Sequence, residues 1–122
     1  MAKLDSSLAQ AEQIFRELQS VAAGGDTDAK RRVVQLRSRY ASTMLDIMQA
    51  RKTDERMTSC RDLGSEFDRL FFDVRQALAT HQAKWRLQEI ENDTAGYVAS
   101  AAGLDRVQED LYHWARSTFA PG

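Results

Sequence analysis

Two histidines, one cysteine and a scatter of carboxylates are the groups in this 122-residue chain that could carry acid–base, nucleophilic or metal chemistry. A carboxylate-bridged di-iron centre in a helical protein needs Glu-x-x-His on two helices and two further inward glutamates. Three residues before His81 stands Leu78, and three before His113 stands Asp110, so the pattern is met only in part and only once. Tetrahedral zinc needs Cys or His ligands at short spacings, and Cys60, His81 and His113 share none. No metal or other cofactor is therefore expected, and both histidines read as packing or surface groups. Cys60 falls on an apolar rhythm, where a thiol acts as a small hydrophobe, and no histidine lies near it in sequence. Gly24-Gly25 lacks the lysine of a phosphate-binding loop. No catalytic residue is assigned, and the expectation is a protein that is not an enzyme.

The run His81-Gln82-Ala83-Lys84 resembles the motif of histidine phosphotransfer domains. In that family an exposed histidine accepts phosphate, a lysine three residues on neutralises it, and a following glycine leaves room for the receiver protein. The resemblance covers four residues; Trp85 stands where the glycine belongs, and His81 lies on the apolar rhythm of its segment. It implies a phosphotransfer-like module centred on His81.

Other constellations are surfaces. Lys30, Arg31, Arg32, Arg37 and Arg39 place five cations in ten residues with no acid among them. Lys30 and Arg37 are seven apart, as are Arg32 and Arg39, so two basic rows climb a helix. Such rows can grip phosphates with salt-sensitive affinity, which makes Lys30, Arg32, Arg37 and Arg39 candidate anion or nucleic-acid contacts. Glu12 and Glu17, or Glu89 and Glu91, could instead balance them. Phe67, Leu70, Phe71, Phe72 and Val74 form the densest apolar cluster. Phe72 is about 140° from Phe67 at 100° per residue and falls outside the stripe. Aromatic anchors dominate interface energies, so Phe67, Phe71, Phe72, Trp85 and Trp114 are candidate partner-binding residues; core packing is the other role open to them.

The elements that must position these groups are helices. Leu4, Leu8, Ala11, Phe15, Leu18 and Ala22 alternate steps of four and three, which predicts one apolar stripe on a helix over about residues 5–23. Asp5, Ser6 or Ser7 can cap it, and Gly24-Gly25 can close it. Val33, Tyr40, Met44 and Ile47 mark a second helix over 27–51, its stripe thickened by Val34, Leu36, Ala41, Leu45 and Met48. A turn is expected near Lys52-Thr53. Met57, Cys60, Leu63, Phe67, Leu70, Val74, Ala77, His81 and Trp85 keep the rhythm over 54–91, a span of roughly 57 Å if unbroken. Gly64-Ser65 could break it, and a helix from 27 to 63 turning at Gly64 is the alternative. Asn92-Asp93-Thr94 reads as the next turn. Val98, Ala101, Leu104, Val107, Leu111 and Trp114 line a last helix over 95–118, which Gly103 either weakens or breaks.

The fold class is therefore all-α, an up-and-down antiparallel bundle of about four helices forming a single domain over 1–122. Pro121 is the only proline, so nothing before it forces a helix break. A lone cysteine, no signal-like or membrane-spanning apolar run and a formal net charge of −1 suggest a cytoplasmic protein without global attraction to nucleic acid. Thirteen arginines against four lysines fit a GC-rich, bacterial genome. The expected function is a protein–protein interaction module (adaptor, small chaperone or assembly factor), homodimeric through the long central helix. In size and texture it is similar to the small helical export chaperones of bacterial secretion systems. The alternative is a nucleic-acid-associated regulator using the arginine-rich start of the second helix.

Overall fold

Leu4, Leu8, Ala11, Ile14 and Phe15 give α1 (Lys3–Ala22) a single apolar stripe, none of it more than 3% exposed. They face Val33, Leu36, Tyr40, Met44, Ile47 and Ala50 of α2 (Thr27–Thr53). Residues 3–22 and 27–119 are described by the computed structural model. Among them the protein is all-α, with six helices and no strand. The turn expected at Gly24-Gly25 lies outside the described residues. The chain divides into two compact units, Met1–Cys60 and Arg61–Gly122.

In the first unit, ion pairing of Glu17 with Arg32 near one end of α1 and of Asp5 with Arg56 near the other shows that the chain reverses between α1 and α2. Helix α1 begins at Lys3, so Asp5, Ser6 and Ser7 lie inside it and do not cap it; Ser7 is buried. Helix α2 is about 40 Å long at 1.5 Å per residue. It stops where the turn near Lys52-Thr53 is expected, with Arg51 and Lys52 in its last turn favourably placed against the helix dipole. Asp54 then caps a five-residue helix, α3 (Glu55–Ser59), accepting from the backbone N–H of Arg56 at 2.9 Å and of Met57 at 3.4 Å. Met57 is the buried residue of α3.

In the second unit, α4 (Arg61–Lys84) packs on α6 (Thr94–Thr118), and the short α5 (Leu87–Asn92) also packs on α6. Phe67 meets Trp114, and His81 meets both Tyr97 and Ser100, so α4 and α6 run antiparallel. Phe67, Leu70, Phe71 and Val74 form the core with Tyr97, Leu111, Tyr112 and Ala115.

A continuous helix over 54–91 is not formed. The segment is α3, α4 and α5, interrupted at Cys60 and at Trp85-Arg86. Gly64 is buried inside α4, and no break occurs at Gly64-Ser65. Cys60 instead takes an extended backbone, φ −115° and ψ 101°, which ends α3. Its thiol is consequently exposed and not part of the apolar stripe. At the other end, Trp85 turns its ring edge-on to Tyr97 at 5.9 Å and is buried there. That contact carries the chain out of the helix without any glycine or proline.

Helix α6 begins where Asn92-Asp93-Thr94 predicts, with the Asp93 side chain accepting from Gly96 N at 2.9 Å. It runs unbroken through Gly103. The two glycines of α6 make opposite demands. A Cβ at Gly103 would meet nothing within 4 Å, whereas one at Gly96 would clash with the Asp93 carboxylate and displace the cap. Gly103→Ala is therefore expected to stabilise the protein by up to ~1 kcal/mol through helix propensity. Gly96→Ala is expected to destabilise it by about 1 kcal/mol through the lost cap. Urea midpoints measure both, and equal shifts of the same sign would contradict the capping geometry.

Candidate functional site

His81 is 7% exposed, on the core side of α4. Its Nδ1 lies 3.1 Å from Ser100 Oγ on α6, its ring packs against Tyr97 at 5.3 Å, and Lys84 Nζ sits over the Trp85 ring at 5.3 Å. The pair opens into a groove of about 550 Å³ between α4 and α6, whose lining includes Ala77, Lys84, Gly103 and Leu104. A hydroxyl within hydrogen-bond reach of an imidazole is the first requirement of an activated nucleophile. Acyl transfer also needs donors aimed at a developing oxyanion. Ser100 sits in the interior of α6, where backbone N–H groups are consumed by the helix ladder. The arrangement thus holds a polar pair at the edge of a core, beside a groove that Gln76, Thr80 and Lys84 also line. As for the phosphotransfer resemblance, His81 Nδ1 is already engaged with Ser100 and the ring is packed against Tyr97, which leaves little imidazole for a receiver domain to approach.

A second polar cluster joins the ends of the first unit. Arg56 donates through Nη2 to Asp5 Oδ1 and, at 2.7 Å, to Asp54 Oδ2, and through Nε to Asp54 Oδ1 at 3.1 Å. The Asp54 side chain is 5% exposed and Arg56 37%. Hydrogen bonding from Arg56 holds the Asp54 carboxyl below its ordinary value of 3.8 despite the opposing effect of burial, and Asp54 and Asp5 raise the Arg56 guanidinium further. One carboxylate therefore caps α3 while its counter-ion ties that cap to α1. This is a structural clasp. Among the described residues no group of three or more His, Cys, Asp and Glu side chains is placed to hold a metal ion.

The five candidate partner-binding aromatics separate. Phe67 and Phe71 are stacked at 5.4 Å inside the core, Trp85 is buried against Tyr97, and Trp114 is half-buried between Phe67 and Phe119. Phe72 alone is fully outward, 59% exposed. The basic candidates separate as well. On a helix, the row of Lys30 and Arg37 lies about 160° from the row of Arg32 and Arg39, so the two rows do not make one surface. Arg32 binds Glu17 at 2.7 Å.

What sequence reasoning merged, the structure divides. Of the residues expected to thicken the core stripe of α2, Leu36 is fully buried, but Val34 is 47% and Leu45 59% exposed. Ala41 is exposed too, and Met48 half-buried. Val34, Ala41, Leu45 and Met48 are spaced by seven, four and three residues. They form a second apolar line about 60° wide, centred about 130° round the helix from the stripe that meets α1. The signal was present in the sequence as a surplus of apolar residues over two turns' need. No helix is long and apolar enough to cross a membrane among the described residues. No family model matches the chain, and no curated protein or solved structure matches it.

Replacing Arg56 by Met leaves Asp54 buried without its cation, and a loss of about 1–3 kcal/mol is expected after allowing for the half-exposed guanidinium. Because the folded pKa of Asp54 is depressed, its contribution is complete above the ordinary value of 3.8 and fades as pH falls through the folded value. The stability gap between wild type and variant should therefore close below about pH 4. A gap independent of pH would contradict the clasp.

Proposed function

We propose that the chain is a non-enzymatic protein–protein interaction module, of the adaptor, small-chaperone or assembly-factor kind, that binds a partner along the outward line of α2. The observation that carries this reading is the pair Val34 and Leu45, large apolar side chains 47% and 59% exposed on one helix line. Leaving them in water costs hydrophobic free energy, since burying a side chain of this size contributes about 1.5–3 kcal/mol. Exposed apolar residues scattered singly need no explanation. Four in register over four turns of one helix match the i, i+3, i+4, i+7 anchors by which helices dock.

The homodimer expected from sequence rested on an overhanging helix over 54–91. With that segment divided into three helices, the apolar surplus lies on α2 instead. Phe72 stands alone on the outer side of α4, flanked by Arg69, Arg75 and Gln76, and supports a secondary contact at most.

Replacing Val34 and Leu45 together by Ser should leave the urea midpoint within about 0.5 kcal/mol of wild type, as is usual for surface changes. Affinity capture from the native cell followed by mass spectrometry should then lose whatever wild type retains specifically. Identical captured sets for the two proteins would remove α2 as the docking face.

A further inference from the structure

The charges around the outward line of α2 narrow the class of partner. Every charged residue of α2 within about 60° of Val34 on the helical wheel is basic: Lys30, Arg31, Arg37 and Lys52. The acids of this helix, Asp28 and Asp46, lie about 120° away, with Arg32 and Arg39 beyond them. Arg31 and Lys52 are exposed at opposite ends of the line. Lys30 and Arg37 also make contacts of their own within the protein. From Lys30 to Lys52 the face is roughly 33 Å long.

Resting on the interaction-module reading above, we propose that this face binds an amphipathic helix of a partner protein whose apolar seam is flanked by acidic residues. Three features favour this occupant. The line is long and only about 60° wide, which suits another helix lying along it and not a broad surface. Its flanks carry one sign of charge, so a complementary seam needs Glu or Asp on both sides, as in the flanking positions of paired helices. A second copy of α2 is disfavoured in either direction, because both orientations would set basic residues against basic residues. An anionic membrane would satisfy the charges but asks for a broader apolar face than four residues on one line.

The test uses the full chain and a fluorescein-labelled probe of about 24 residues, with Leu at the two seam positions of each heptad and Glu at the flanking ones. A control probe carries Lys in place of Glu. The Glu probe should bind with a dissociation constant on the order of 10 µM at low salt and weaken several-fold as the Debye length shortens from about 10 Å toward 3 Å. The Lys probe should bind at least tenfold more weakly. Leu45→Ser and the pair Arg31→Glu with Lys52→Glu should each weaken the Glu probe about tenfold, the first without changing its salt dependence, the second by flattening it.

Equal binding of both probes, or no binding of either, overturns the acidic-helix partner. So does binding that Leu45→Ser leaves unchanged. Leu45-dependent binding to phosphatidylserine vesicles without probe binding would assign the face to a membrane, and Leu45-dependent self-association in sedimentation would assign it to a second copy; either result also overturns the proposal. Failure of the probe with continued loss of captured proteins in the Val34→Ser, Leu45→Ser variant would reject this partner class and leave the module reading standing.

Discussion

A helix that packs on one neighbouring helix can bury only one stripe of its surface, roughly 100° wide, and that limit governs the first unit. Its α1 has apolar residues enough for one stripe, of which Leu4, Leu8, Ala11, Ile14 and Phe15 are almost completely buried. Helix α2 has more. Once Val33, Leu36, Tyr40, Met44 and Ile47 have been covered by α1, the period of the helix leaves Val34, Ala41 and Leu45 turned outward. No rotation of α2 can satisfy both lines against a single partner. The outward apolar line is thus a consequence of two-helix packing and not an accident of one side chain.

Side-chain chemistry sets where α3 and α6 begin. Asp54 and Asp93 each accept backbone N–H groups at the start of a helix, and in the first case Arg56 and Asp5 fix the capping carboxylate in place. The clasp closes α2 onto the start of α1 and terminates the helix at the same point. In the second unit the Trp85 ring on Tyr97 does comparable work. Gly64 and Gly103, by contrast, are carried inside helices.

These differences explain how far the sequence could be read. The all-α class, the first-helix core and the turn at Asn92-Asp93-Thr94 follow from local periodicity and capping, which are written in neighbouring residues. The break after Lys84 was not legible, because it depends on an aromatic contact with a residue twelve positions further along. The exposed Cys60 followed the same pattern, since the apolar rhythm continues through a residue whose backbone is extended. Of the candidate partner-binding residues, the aromatic cluster drew attention for its density, yet density is also the mark of a core: Phe67, Phe71 and Trp85 are buried. The more informative signal was a mismatch between the number of apolar residues on α2 and the one stripe that a hairpin can cover.

Hydroxyl-radical footprinting of the full chain measures the accessibility of that second line residue by residue. Reactivity at each side chain is compared with the same residue in the urea-unfolded chain at low protein concentration. Val34 and Leu45 should retain most of their unfolded reactivity, while Leu36, Tyr40 and Ile47 are strongly protected. Protection of Val34 and Leu45 equal to that of Leu36 and Ile47 would contradict an open docking line on α2, because the line would already be covered without a partner.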